Sequence, residues 1–136
     1  MKVKLDPGAH EPTRAHNTDA GLDLYTYDAG MVPAHGSNTF GTGVHIELPQ
    51  RTCGLLVSKS GLLSRAGISS TGLIDEGYTG EIKVTLINNS NVNYFVELGQ
   101  KISQLVVIPC RYEPVQIVDR LNDSDRGDHG FGSTGR

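Results

Sequence analysis

The feature that most constrains the fold of this chain is a series of short segments in which polar and apolar residues alternate or β-branched residues dominate. Eight such segments are candidate strands, at residues 2–5, 22–27, 44–48, 55–57, 81–87, 92–96, 102–108 and 115–118. Clusters of Gly, Pro, Asn and Asp separate them at short intervals, which is typical of antiparallel sheets. The best helix candidate is a single turn near residues 62–66. The pattern therefore predicts an all-β fold, either a jelly-roll-like sandwich or a small barrel.

Length and composition favour one core with many turns. The chain has 136 residues, which is enough for one hydrophobic core, and 17 of them are glycines. Its formal net charge is -3, so the surface as a whole does not attract nucleic acid. A polyanionic ligand would therefore need locally concentrated positive charge or a metal ion.

The spacing of cysteine and histidine gives no sign of a zinc site. Cys53 and Cys110 each lie in an apolar run without a CxxC pattern, which predicts buried core thiols in a reducing compartment. The five histidines are scattered without the spacing of zinc ligands. No apolar stretch has the length of a signal peptide or a membrane span, so we expect a soluble, cytoplasmic protein without a membrane partner.

The composition changes after Asp119. Residues 122–136 contain one large apolar side chain, Phe131, among glycines, serines and charged residues. Such a segment cannot bury enough apolar area to offset its conformational entropy, so we predict a β domain over residues 1–121 and a flexible tail over 122–136. The tail contains a formal GxGxxG at 130–135, but it lacks the flanking strand and helix that this motif needs. A terminus without function is the alternative to a nucleotide grip in which Phe131 stacks on a base.

Three upstream segments carry candidate polar groups, and each also has a plain structural interpretation. Asp75 follows an apolar pair in a predicted hairpin, where a carboxylate can orient and deprotonate water, although Asp is also common in ordinary turns. Ser60 and Gly61 precede the helical turn, which suits either an anion site or a simple N-cap. Asp23 lies between two leucines of a strand, and it either binds a hydrated metal ion or points outward.

In their order along the chain, five segments resemble the five motifs of the trimeric dUTPase family. They are residues 20–25, 58–62, 71–81, 99–105 and 126–136. The Gly-Leu-Ile-Asp run that ends at Asp75, followed by Tyr78 and Glu81, and the Gly-Phe-Gly-Ser-Thr-Gly tail make the likeness specific. The resemblance implies a jelly-roll subunit and a homotrimer with active sites at the subunit interfaces. It also implies hydrolysis of dUTP to dUMP and pyrophosphate with Mg²⁺, which limits uracil incorporation into DNA and supplies dUMP for dTMP synthesis.

The resemblance also assigns roles to individual residues. Asp75 becomes the catalytic base that holds the attacking water, Tyr78 lies against the deoxyribose, and Asp23 binds the magnesium ion through water. The other substrate-binding positions are Lys59, Ser60, Gly61, Gly72, Ile74, Lys83, Gln104, Arg126, Phe131, Gly132, Ser133 and Thr134. Main-chain groups near Gly72 and Ile74 would read the uracil edge.

The chain departs from the family's usual residues at charged positions. Lys59 and Lys101 stand where Arg is common, which keeps the charge but loses the bidentate geometry of a guanidinium. Two other interpretations remain open from the sequence. A dCTP deaminase-type relative would need a Glu base and an Arg at the pyrimidine ring, for which the motifs show no convincing equivalent. A nucleotide-gated regulatory protein of the same fold is disfavoured because no long insertion separates the motifs.

Overall fold

A computed structural model describes residues 1–125, 127 and 128 of the chain. Within those residues the elements are β1 Lys2–Leu5, β2 Leu22–Tyr25, β3 Gly30–Val32, β4 Ser37–Glu47, β5 Thr52–Ser58, α1 Ser60–Ala66, β6 Ile68–Ile74, β7 Glu81–Asn88, β8 Tyr94–Val96 and β9 Lys101–Pro109. The prediction of an all-β fold with one short helix near 62–66 is therefore confirmed.

Seven of these strands form one antiparallel sheet in the order β1-β4-β7-β6-β5-β9-β2, and β3 pairs with β8 in a second sheet. Neighbouring strands are often distant in sequence, because β2 pairs with β9 and β5 lies between β9 and β6. This topology places the candidate polar segments on one half of the large sheet.

The core follows the alternation that the sequence shows. In β7 the side chains of Ile82, Val84 and Leu86 are buried, whereas the residues between them are exposed. They belong to one cluster with Phe40 of β4 and Leu105 of β9. Burying a side chain of this size stabilises the fold by about 1.5–3 kcal/mol. The three buried side chains of β7 therefore contribute substantially to the stability of the fold.

The structure corrects two strand predictions. Strand β6 was not predicted, since its sequence Ile-Ser-Ser-Thr-Gly-Leu-Ile is too polar, but β5 and β7 both pair with it. The predicted strand at 115–118 is wrong, because no described strand pairs with it. The side chains of Val115 and Ile117 in this segment are 92% and 95% exposed. An apolar pattern alone cannot form a strand without a partner.

The two cysteines differ in their surroundings. Cys53 is buried as predicted, whereas Cys110, after the end of β9, is partly exposed; both are free thiols. No helix in the described part of the chain is long and apolar enough to span a bilayer.

Candidate active site

A cavity of ≈ 370 Å³ lies where strand β6 separates from strand β7. Residues 68–70 of β6 pair with β7, whereas residues 71–74 pair with β5 on their other side. The edge of β6 that faces the cavity at 71–74 therefore has no partner strand among the described residues. Backbone N–H and C=O groups along such an edge are free to bond a ligand.

Five residues predicted from the sequence line this one cavity. They are Gly72, Ile74, Asp75, Tyr78 and Lys83, from β6, β7 and the loop between these strands. Gly72 packs closely against β5, because a Cβ atom at this position would lie 3.0 Å from the Leu56 side chain. The structure thus brings together the predicted base, the predicted sugar contact and the predicted uracil-reading backbone.

Asp75 is the first residue after β6, and its side chain is exposed at the cavity. Its backbone carbonyl accepts a hydrogen bond from the Tyr78 N–H at 3.0 Å, which closes a tight turn. Within residues 1–125, 127 and 128 its carboxylate has no hydrogen-bond partner or ion pair. An open carboxylate at a cavity can accept a proton from a bound water molecule.

The Tyr78 ring forms a fixed wall of the same cavity. Its hydroxyl donates a hydrogen bond of 2.9 Å to the backbone carbonyl of Glu81. The Glu81 carboxylate in turn accepts a bond from the Gly43 N–H at 3.1 Å and lies 3.8 Å from the Lys83 ammonium group. Sequence reasoning assigned no role to Glu81, although it belongs to the motif that carries the resemblance. The structure shows that it connects the loop to β4.

A second polar centre surrounds the carboxylate of Asp23, which is 4% exposed. Its oxygens accept hydrogen bonds from Lys59 Nζ at 2.5 Å, from Lys101 Nζ at 2.8 Å and from Gln104 Nε2 at 3.3 Å. The interpretation that Asp23 points outward into solvent is therefore wrong. This lysine centre, formed by Asp23, Lys59, Lys101 and Gln104, carries one net positive charge when all its ionisable groups are charged.

The pKa of Asp23 reflects two opposing effects. Burial of the carboxyl group acts to raise its pKa, but hydrogen bonds and charge from Lys101 and Lys59 outweigh burial and hold the pKa below its ordinary value. The same contact with Asp23 raises the pKa of Lys101. Both shifts favour the charged forms of Asp23 and Lys101, which keeps positive charge at this position to attract phosphate.

Ser60 and Gly61 begin helix α1 directly after Lys59, beside the lysine centre. Lys59 occupies the N-cap position and makes no side-chain capping bond, so the interpretation of Ser60 as the N-cap is wrong. A Cβ atom at Gly61 would meet nothing within 4 Å. The structure thus places both predicted phosphate contacts next to the positive charge, with open space at Gly61.

The cavity and the lysine centre lie apart within one chain. Asp23 on β2 pairs with Gln104 on β9, whereas Ile74, the residue before Asp75, aligns through β5 with Val107. Asp23 and Ile74 are therefore three strands and three residues apart, which corresponds to about 14 Å across the sheet and about 10 Å along the strands. The predicted tail contacts Arg126, Phe131, Gly132, Ser133 and Thr134 lie outside the described residues.

An antiparallel β fold that offers an open carboxylate in a cavity and a separate centre of positive charge is suited to a hydrolase of phosphorylated ligands. A model of the dUTPase family matches residues 8–135. Deoxyuridine 5'-triphosphate nucleotidohydrolase of Clostridium acetobutylicum is 43% identical over 139 residues, covering 99% of this chain and 96% of the relative. The corresponding protein of Gloeothece citriformis is 41% identical, with the same coverage.

Solved structures give the same result. The dUTPase of Staphylococcus bacteriophage 80alpha with dUpNHpp is similar with a TM-score of 0.92 at 28% identity, covering 99% of this chain and 98% of that one. A variant of phage phi11 dUTPase, described with a structural Mg(II) ion, has a TM-score of 0.80 at 26% identity and covers 88% of this chain and 96% of that one. The chain therefore belongs to the dUTPase family.

The activity follows from this membership. The protein is a dUTP nucleotidohydrolase, an enzyme that hydrolyses dUTP, and the predicted family, fold and reaction are confirmed. The metal site is less well defined than the reaction. The described residues contain no group of three or more His, Cys, Asp or Glu side chains that could hold an ion. The dCTP deaminase alternative gains no support from these likenesses.

Proposed function

We propose that dUTP is hydrolysed to dUMP and pyrophosphate by a water molecule that Asp75 activates, in a site shared between subunits of a homotrimer. The observation that carries this proposal is the separation of the Asp75 cavity from the lysine centre within one chain. A carboxylate that activates the water must lie within hydrogen-bond reach of it, and the water must lie about 3 Å from the α-phosphorus.

The two centres suit the two halves of one nucleotide. The cavity offers an unpaired backbone edge for the uracil and the Tyr78 ring for the deoxyribose, whose 2′ position would lie too close to the ring for a hydroxyl. The lysine centre offers positive charge for a triphosphate. Because the centres of one chain are too far apart to contact the same α- and β-phosphates, a cavity of one subunit must face the lysine centre of another.

The apolar surface supports an assembly of several subunits. Beyond β9 the side chains of Val115, Ile117 and Leu121 are 92%, 95% and 81% exposed, and Leu73 at the cavity is 65% exposed. Apolar side chains exposed to this extent along one segment are typical of an interface between chains. We place the partner there as another copy of this chain, in a closed ring of three.

In this proposal the lysine centre and the start of α1 bind the phosphates. Lys59 and Lys101 donate to Asp23 in the free chain, and their ammonium groups can turn towards phosphate oxygens when the triphosphate is present. Gln104 Nε2 and the exposed groups of Ser60 and Gly61 supply further donors. Phosphoryl transfer depends mainly on such charge neutralisation and on alignment of the attacking water.

Asp23 fits an indirect role in magnesium binding. It is a single carboxylate whose oxygens face Lys59 and Lys101, so it suits hydrogen bonds to metal-bound water better than direct coordination. Bound with the triphosphate, Mg²⁺ would neutralise phosphate charge. We expect this fit only when the phosphates have drawn the two lysines away from Asp23.

Residues 122–136 complete the proposal as a lid over the bound nucleotide. In this role Phe131 stacks on uracil, while Arg126, Gly132, Ser133 and Thr134 contact the terminal phosphates. A closed lid would exclude bulk water and strengthen the polar contacts to the triphosphate.

The experiment that tests the base and the shared site uses two isosteric variants. Asp75→Asn should lower kcat by about 10²–10⁴-fold, because the amide cannot accept the proton of the water, while binding of dUpNHpp persists. Full turnover by Asp75→Asn would rule out the base assignment. When this variant is mixed in equal amount with Asp23→Asn, which we also expect to be inactive, subunit exchange should restore about one quarter of wild-type activity, because random assembly completes that share of the sites. No recovery in mixed trimers, verified by mass, would contradict the shared site.

A further inference from the structure

We propose that Tyr112 is a positioning residue for Asp75, which it holds through the carboxylate of Glu76. The proposal rests on the proposed function, in which Asp75 is the base. It concerns a contact between the segment that follows β9 and the loop that carries this base.

The Asp75 side chain has no hydrogen-bond partner in the described part of the chain, so its direction depends on the backbone on either side. On one side Ile74 pairs with Gly54, which fixes the end of β6. On the other side the backbone continues into Glu76. A contact that fixes Glu76 therefore also restrains the backbone on the C-terminal side of Asp75.

Glu76 is held from two directions. Its Oε2 atom accepts a hydrogen bond of 2.9 Å from the backbone N–H of Arg51 and a very short hydrogen bond from the Tyr112 hydroxyl. The Tyr112 hydroxyl bond, followed by the Arg51 bond, lowers the pKa of Glu76, and the Glu76 carboxylate raises the pKa of Tyr112 to about 12. Both shifts favour a Glu76 anion as acceptor and a neutral Tyr112 phenol as donor, and charge-assisted bonds of this kind are the stronger ones.

The two donors are themselves connected. Arg51 lies in the turn between β4 and β5 with φ of 57°, and its carbonyl accepts a bond of 2.7 Å from the Cys110 N–H. Cys110 is two residues before Tyr112. The turn, the chain after β9 and the loop of the base thus form one hydrogen-bonded cluster, which we call the base clamp: Arg51, Glu76, Cys110 and Tyr112.

The test removes single atoms from the clamp. Tyr112→Phe removes only the hydroxyl and should lower kcat about 10-fold, because a misaligned base loses proximity, with KM changed less than twofold. Tyr27→Phe is the matched control: it removes a hydroxyl that donates to the Pro7 carbonyl at 2.5 Å, outside the clamp, and it should leave kcat unchanged. Glu76→Gln, which keeps an oxygen acceptor, should retain more activity than Glu76→Ala.

Coupling within the clamp is measured by combining variants. Tyr112→Phe should cost little further activity in a Glu76→Ala background, since both remove the same bond. Additive losses would overturn the proposal, as would unchanged kcat in Tyr112→Phe or an equal loss in Tyr27→Phe. If Asp75→Asn is inactive while Tyr112→Phe behaves as wild type, the clamp fails and the proposed function stands. If Asp75→Asn is active, the proposed function fails.

Discussion

At the scale of single residues, Asp23 shows how burial and charge act together. The sequence left two interpretations of this residue, a metal contact or an outward-facing side chain. The folded chain instead buries the carboxylate and surrounds it with two lysines. A buried carboxylate is stable only when donors compensate its lost hydration, and here Lys59, Lys101 and Gln104 do so. The same lysines become the phosphate contacts of the proposed site.

The pKa of Asp23 gives a prediction about acid stability. Because its pKa is lower in the folded than in the unfolded chain, the carboxylate contributes stability that is complete above the ordinary value of 3.8 and is lost as the pH falls through the folded value. We therefore expect the free energy of unfolding of Asp23→Asn to fall less than that of wild type as the pH drops from about 5 to about 3, through this ordinary value. Urea unfolding at several pH values measures this difference.

A surface ion pair supplies the control for this measurement. Asp123 is 90% exposed beside Arg120, and Asp123→Asn should follow the wild-type pH dependence because exposed pairs contribute little. Parallel slopes for Asp23→Asn and wild type would contradict the prediction.

At the scale of elements, the turn from α1 to β6 connects the helix beside the lysine centre to the strand that borders the cavity. Helix α1 begins beside the lysine centre and ends at Gly67, whose φ is 67° and whose N–H bonds to the Leu63 carbonyl at 3.0 Å. Only a residue that tolerates left-handed backbone lets the chain reverse into β6 without strain. Strand β6 then leads to the unpaired edge of the cavity.

Substitution at this turn should therefore reduce stability. Gly67→Ala should lower the free energy of unfolding by about 1 kcal/mol, since alanine at positive φ is strained. Gly77→Ala is the matched control, because a Cβ atom there meets nothing within 4 Å and its φ lies outside the left-handed region. Equal stability of the two variants in urea unfolding would show that the turn does not depend on glycine.

At the scale of the whole molecule, the described chain has a complete core but an incomplete site. The sixteen apolar side chains of the buried core cluster all lie between Leu22 and Leu105. The described residues after 109 add exposed apolar side chains to the surface and none to this cluster. In the proposed function this final segment serves assembly and closure over the substrate.

Removal of residues 122–136 separates these roles. The truncated chain should keep its fold and the mass of the proposed trimer, because the described residues of this segment contribute no core side chain, while turnover of dUTP falls roughly 100-fold without the closing contacts. Thermal unfolding, light scattering after gel filtration and pyrophosphate release measure the three properties. A truncated chain that is unfolded or monomeric would make the tail structural instead.

The local sequence pattern was enough to predict the fold class of this protein and its family. Alternation in β7 and at the end of β4, together with the turn-forming clusters, sufficed for an all-β fold, since a period of two places one face of a strand in the core. Five short motifs in their order along the chain, among them the block around Asp75 and Tyr78 and the glycine-rich tail, sufficed for the family and the reaction. Residues 71–81 are contiguous, so this motif can be read from the sequence without knowledge of the strand order.

Tertiary structure alone decided the rest. Strand β6 exists because β5 and β7 offer hydrogen bonds on both sides, and residues 115–118 remain unpaired because no described strand does so. The joining of Asp23 to Lys59 and Lys101, and of Glu76 to Tyr112, spans 36 or more residues in each case. Contacts between residues so distant in sequence depend on the order of strands in the sheet, which the local alternation of polar and apolar residues does not encode. The same strand order separates the cavity from the lysine centre.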